Sequence, residues 1–161
     1  MRRLFVVIAF VILLITTPAL AILPAGDSTC VLTQTGSGVQ PGAEHMWRHY
    51  ICTADSGDGS VDAYTITGFF DFYLYSVETW PGAVAPTDAT DFTLLDLITG
   101  EDLMGGNGTN GIDATTPKTI IPRSAAMNLN FHHMVKGNLS LAITHNSVLS
   151  AIMHIKITGV R

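Results

Sequence analysis

An antiparallel β-sandwich, or a jelly-roll-like variant of one, is the fold class this sequence predicts, and three observations predict it. Short runs rich in Val, Ile, Thr, Phe and Tyr recur along the chain, a composition that suits pleated, half-buried surfaces. Clusters of Gly, Pro, Asn and Asp separate these runs, with 15 Gly and 7 Pro in 161 residues. Beyond the N-terminus no stretch spaces its apolar residues as a helix would. Many short strands without helices bury their apolar faces by packing sheet on sheet.

Taken in order, Thr29 to Thr33 is the first expected strand, closed by Gly36-Ser37-Gly38 and Pro41-Gly42. His45 to Thr53 follows and carries Trp47, Tyr50 and Ile51. Asp55-Ser56-Gly57-Asp58-Gly59-Ser60 reads as a turn, because Asp bonds its own backbone and Gly tolerates positive φ. Val61 to Thr67 and Phe69 to Thr79 come next, with Gly68 between them. The second of these holds Phe69, Phe70, Phe72, Tyr73, Leu74 and Tyr75, which predicts a central strand buried on both faces. Trp80-Pro81-Gly82 is expected to stop it. Phe92 to Leu97 is an aliphatic strand, and Thr99-Gly100 turns into Glu101 to Met104. Gly105 to Gly111 is a loop, and Lys118 to Ile121 is a short strand stopped by Pro122. Leu139, Leu141 and Ile143 alternate with smaller or polar residues, as Met153, Ile155 and Ile157 alternate with His154, Lys156 and Thr158. Period two marks half-buried strands. Joined through His145-Asn146-Ser147, these two are expected to pair with each other.

Residues 1–21 read as a cleavable signal peptide. Arg2 and Arg3 precede an uncharged apolar run from Leu4 to Ile15, Pro18 breaks it, and Ala19-Leu20-Ala21 offers small residues at the cut. A run of about 12 apolar residues is short for a bilayer, which takes roughly 20. A retained anchor is the alternative; after cleavage no stable membrane anchor remains. Residues 22–161 then form one domain of ordinary size, destined for the periplasm or the exterior.

Cys30 and Cys52 are the only cysteines and both follow the leader. In an oxidising compartment their simplest state is a disulfide, against two buried thiols. Charge is unevenly spread. All 13 acids lie between Asp27 and Asp113, where Arg48 is the only base, whereas Lys118 to Arg161 has no acid. Either strands of both parts interleave and balance, or copies meet head to tail, acidic face to basic. The formal net charge of −5 and the lack of a basic stripe argue against nucleic acid.

Candidate sites are few. Asp55-x-x-Asp58-Gly59-x-x-Asp62 lacks the ligand alternation and the distal Glu of a helix–loop–helix calcium site and reads as a turn. Asp88, Asp91, Asp96 and Asp102 form a second acidic group; such aspartates usually cap their own turns, and a weak calcium site is the alternative. His45 and His49 share a strand face with Trp47, while adjacent His132 and His133 point to opposite faces. Neither arrangement converges as a zinc site requires. No catalytic or cofactor-binding signature is present, so no enzyme activity and no cofactor are expected. The aromatic cluster from Phe69 to Trp80 is read as core rather than as a sugar-binding surface.

The run from Trp80 to Asp96, continued by Gly100-Glu101-Asp102-Leu103-Met104-Gly105-Gly106, resembles small β-rich virion proteins encoded by tailed phages. The run Gly137-Asn138-Leu139-Ser140-Leu141-Ala142-Ile143-Thr144 resembles their penultimate strand. The resemblance spans roughly Asp55 to the C-terminus and implies no catalytic residues. It implies a non-enzymatic structural or surface protein of a phage or prophage, for decoration or adhesion, partnered by copies of itself or by virion proteins. A secreted bacterial module binding carbohydrate or another surface is the other expectation, motivated by export.

Overall fold

A computed structural model describes residues 28–40, 43–69, 71–124, 129–130 and 132–161. The expected leader and Phe70 lie outside the described residues. The described residues contain no helix and fold into antiparallel sheets, so the all-β expectation holds. Among the described residues eleven strands follow one another: β1 (Thr29–Gln40), β2 (Ala43–Thr53), β3 (Val61–Ile66), β4 (Phe72–Pro81), β5 (Asp91–Asp96), β6 (Lys118–Ile120), β7 (Arg123–Ser124), β8 (Leu129–Asn130), β9 (Met134–Val135), β10 (Leu139–Thr144) and β11 (Ile152–Val160). The larger sheet runs β1-β2-β11-β4-β6, with β9 also paired to β4. The smaller runs β3-β10-β5, and β7 and β8 form a separate ribbon.

The alternation seen in the sequence builds the core. Met153, Ile155 and Ile157 of β11 face inward beside Tyr50 and Cys52 of β2 and Leu74 and Val77 of β4. Leu139, Leu141 and Ile143 of β10, with Phe92 and Leu94 of β5 and Ile66 of β3, supply the opposing layer. Each of these residues is nearly or wholly removed from water. Burying a side chain of this size stabilises by about 2 kcal/mol, so this layer is the main source of stability.

The structure corrects several sequence expectations. β10 and β11 do not pair: β10 lies between β3 and β5, β11 between β2 and β4. Both alternate because each covers the core from one side, and period two cannot tell partners in one sheet from opponents across a sandwich. Gly36-Ser37-Gly38 does not end β1, which continues to Gln40 in register with β2. Likewise Trp80 and Pro81 belong to β4 instead of stopping it. Glu101 to Met104 forms a turn, joined to β5 by a single bridge from Asp102 to Leu95. β4 is central but not buried on both faces, because Tyr73 and Tyr75 are exposed at 43 % and 45 %. The basic C-terminal strand sits among acidic-part strands, and Lys156 pairs with Glu78.

Cys30 and Cys52 stand directly opposite in the β1–β2 register and are joined by a disulfide. The bond fixes the outermost strand to the core strand beside it, and it is compatible with an oxidising environment.

Candidate functional site

The outer face of the larger sheet is where the unusual side chains collect. Register places Trp47 and His49 of β2, His154 and Lys156 of β11, and Glu78 and Trp80 of β4 on that one face. Strand geometry explains the gathering: residues two apart on each strand share a face, and three adjacent strands bring their outward residues side by side.

His49 and His154 are diagonal neighbours whose rings meet edge to edge, Nε2 to Nδ1 at 3.1 Å, tilted by 17°. The Trp80 indole lies over both, with ring centres 4.9 Å from His49 and 5.2 Å from His154. Thr33 donates its hydroxyl hydrogen to the His49 carbonyl and lies 3.0 Å from His49 Nδ1. The chain is satisfied throughout when Nδ1–H of His49 donates to Thr33 and Nδ1–H of His154 donates to the bare Nε2 of His49. Nε2 of His154 then remains an acceptor. Burial lowers the pKa of both imidazoles, and His154 and Lys156 lower His49 further. The pair is neutral where ordinary histidines begin to charge.

Beside this stack, Trp47 and Trp80 flank an open cleft of about 380 Å³, lined also by Gln34, His49 and Lys156. Lys156 Nζ donates to both carboxylate oxygens of Glu78 at 3.1 Å and stands 5.7 Å from the centre of the Trp47 ring. Gly36 is what lets Trp47 lie flat: a Cβ there would fall 2.3 Å from the indole. Farther along the face Tyr75 stacks on His132 at 5.2 Å, with His45 edge-on to Tyr75. The cleft thus offers two indoles, an amide, an imidazole and the ammonium of Lys156, which Glu78 holds in place.

The acidic group is not assembled into a site. Asp88 accepts from Ala89 N, and Asp91 accepts from Asn110 N and contacts His145 Nδ1 at 2.8 Å. Asp96 accepts from the amides of Ile98, Thr99 and Lys136; Asp102 accepts from those of Leu94, Met104 and Gly106. Among the described residues no three His, Cys, Asp or Glu side chains gather so as to hold a metal ion. The turn at residues 55–60 is a turn, with Gly57 N on Asp55 and Ser60 N on Asp58. His132 and His133 do part: His132 is exposed on the outer face and His133 is buried.

Sequence reading found Trp47, His45 and His49 on one face but missed Gln34, His154, Lys156 and Trp80 as their companions. The signal was present in part, because His154 and Lys156 alternate with the core residues of β11 and so point away from it. Comparison with known proteins finds no matching family model, no matching curated protein and no matching solved structure.

Proposed function

We propose that this chain is a non-enzymatic, exported adhesion module that holds a carbohydrate unit in the cleft between Trp47 and Trp80. The observation that carries the reading is the make-up of that cleft, two indoles around an amide, an imidazole and the ammonium of Lys156. A pyranose offers one face of C–H bonds, which lies well against an aromatic ring, and a rim of hydroxyls that need donors and acceptors. Lys156 and Gln34 donate, while the side-chain carbonyl of Gln34 accepts. The cleft is open, which suits an extended chain of sugars on a cell or particle surface.

A glycan array probed with the purified, disulfide-bonded chain, with and without calcium, tests this reading. Retention of a defined glycan, weakened about tenfold by Trp80→Ala, is the expected result, since one aromatic contact contributes about 1.4 kcal/mol. No retained glycan under either condition overturns it.

The Trp80–Gly106 run supports a second reading, a decoration component of a phage or prophage particle. Its aspartates Asp96 and Asp102 are spent on turn amides, so the part that resembles virion proteins is largely frame, while Trp47 lies outside it. Mass spectrometry of purified particles tests this separately. Absence from every particle removes the particle and leaves the cleft untouched.

A further inference from the structure

The free edge of the larger sheet raises a different question. β1 is the terminal strand, and among the described residues nothing pairs with its outer side. Over Thr29–Gln40 it carries no charge and no proline, the usual devices that keep an edge strand from pairing further. Its one irregularity lies between Leu32 and Gln34, which leaves Gln34 to Gln40 in unbroken register with β2. That stretch, Gln34-Thr35-Gly36-Ser37-Gly38-Val39-Gln40, reads nearly the same in both directions about Ser37. Gln34 matches Gln40, Gly36 matches Gly38, and Thr35 matches Val39, its β-branched isostere.

An antiparallel strand paired with its own copy meets its own sequence reversed, so a palindrome sets like opposite like. We infer that β1 pairs with β1 of a second copy about a two-fold axis at Ser37, joining two larger sheets into one. No charges oppose one another in that register. The glycines add a steric match. Trp47 lies across Gly36, whereas a methyl group placed on Gly38 would meet nothing within 4 Å. Because Gly36 of one copy stands opposite Gly38 of the other, each indole borders open space on the facing strand. A foreign strand would satisfy the same backbone groups but has no cause to mirror the palindrome. The second copy is therefore the occupant, and the dimer sets two Trp47–Trp80 clefts on one continuous face.

Light scattering after size exclusion, on the disulfide-bonded chain over a range of concentrations, tests the pairing. Twice the single-chain mass is expected. Ser37→Lys sets two ammonium groups against each other on the axis and is expected to give a monomer with an unchanged far-ultraviolet spectrum. Ser37→Cys is expected to form an interchain disulfide in mild oxidant at least tenfold faster than Thr65→Cys, an exposed site on the smaller sheet. A monomer at every concentration overturns the inference. So does a dimer that survives Ser37→Lys, or a Ser37→Cys cross-link no faster than that of Thr65→Cys.

Discussion

Nε2 of His49 and Nδ1 of His154 share one hydrogen at 3.1 Å beneath the face of Trp80. Neutral imidazoles bond in this way; two imidazolium rings cannot, because both facing nitrogens would carry hydrogens. The contact ties the middle of the larger sheet to the wall of the cleft, so its protonation is felt in both places.

Acidification should therefore loosen the protein through these two residues. Both folded pKa values are lowered from 6.5, so below about pH 6.5 the unfolded chain binds more protons than the folded one. Their contribution is complete above that pH and is lost as the pH falls through the window beneath it. Urea midpoints should drop between pH 7.5 and pH 5, and His49→Gln with His154→Gln should flatten that part of the profile. A slope unchanged in the double variant would remove the pair from the account.

Cys30→Ser with Cys52→Ser should cost about 3 kcal/mol, because the bond closes a loop across 22 positions of sequence. Chemical denaturation should show the loss, and reduction of the unaltered chain should reproduce it.

Asp96→Ala should cost on the order of 3 kcal/mol, since it strands the amides of Ile98, Thr99 and Lys136 around a buried position. Burial raises this carboxyl, but the amides of Lys136, Ile98, Thr99 and Gly137 outweigh it and leave the pKa below 3.8. Asp96 thus stabilises the fold above that pH, and its share is lost as the pH falls through the lowered folded value. Asp96→Asn, which keeps an acceptor, should fall between the two proteins in a thermal melt.

Gly36→Ala should push the Trp47 indole off β1, given a Cβ only 2.3 Å from the ring. Tryptophan emission should shift to longer wavelength and glycan retention should fall, while the unfolding free energy changes by under about 1 kcal/mol, as for a substitution outside the core. An unchanged emission spectrum would show that the ring lies elsewhere.

The strands were legible wherever one face is apolar and the other is not. Met153, Ile155 and Ile157 marked β11 on sight, and the cysteines marked their own bond. Partnership was not legible, because alternation records only which way a residue points. The end of β1 is not legible because glycines are usual breakers, and the sequence does not show that the indole of Trp47 lies across Gly36 within the strand. Tyr73 and Tyr75 read as core residues for a similar reason. Aromatic content alone does not reveal which rings the sandwich turns outward. The cleft depends on residues from four strands, and no local pattern joins Gln34 to Trp80.

β11 lies between β2 and β4 and, among the described residues, follows every other strand in sequence. Until Ile152–Val160 arrives, β2 and β4 have no neighbour on that side, and neither half of the larger sheet can close over the core. Such non-local pairing is slow to nucleate. The larger sheet would stay pliable while its other described strands form, and set only once β11 slides into place like a keystone.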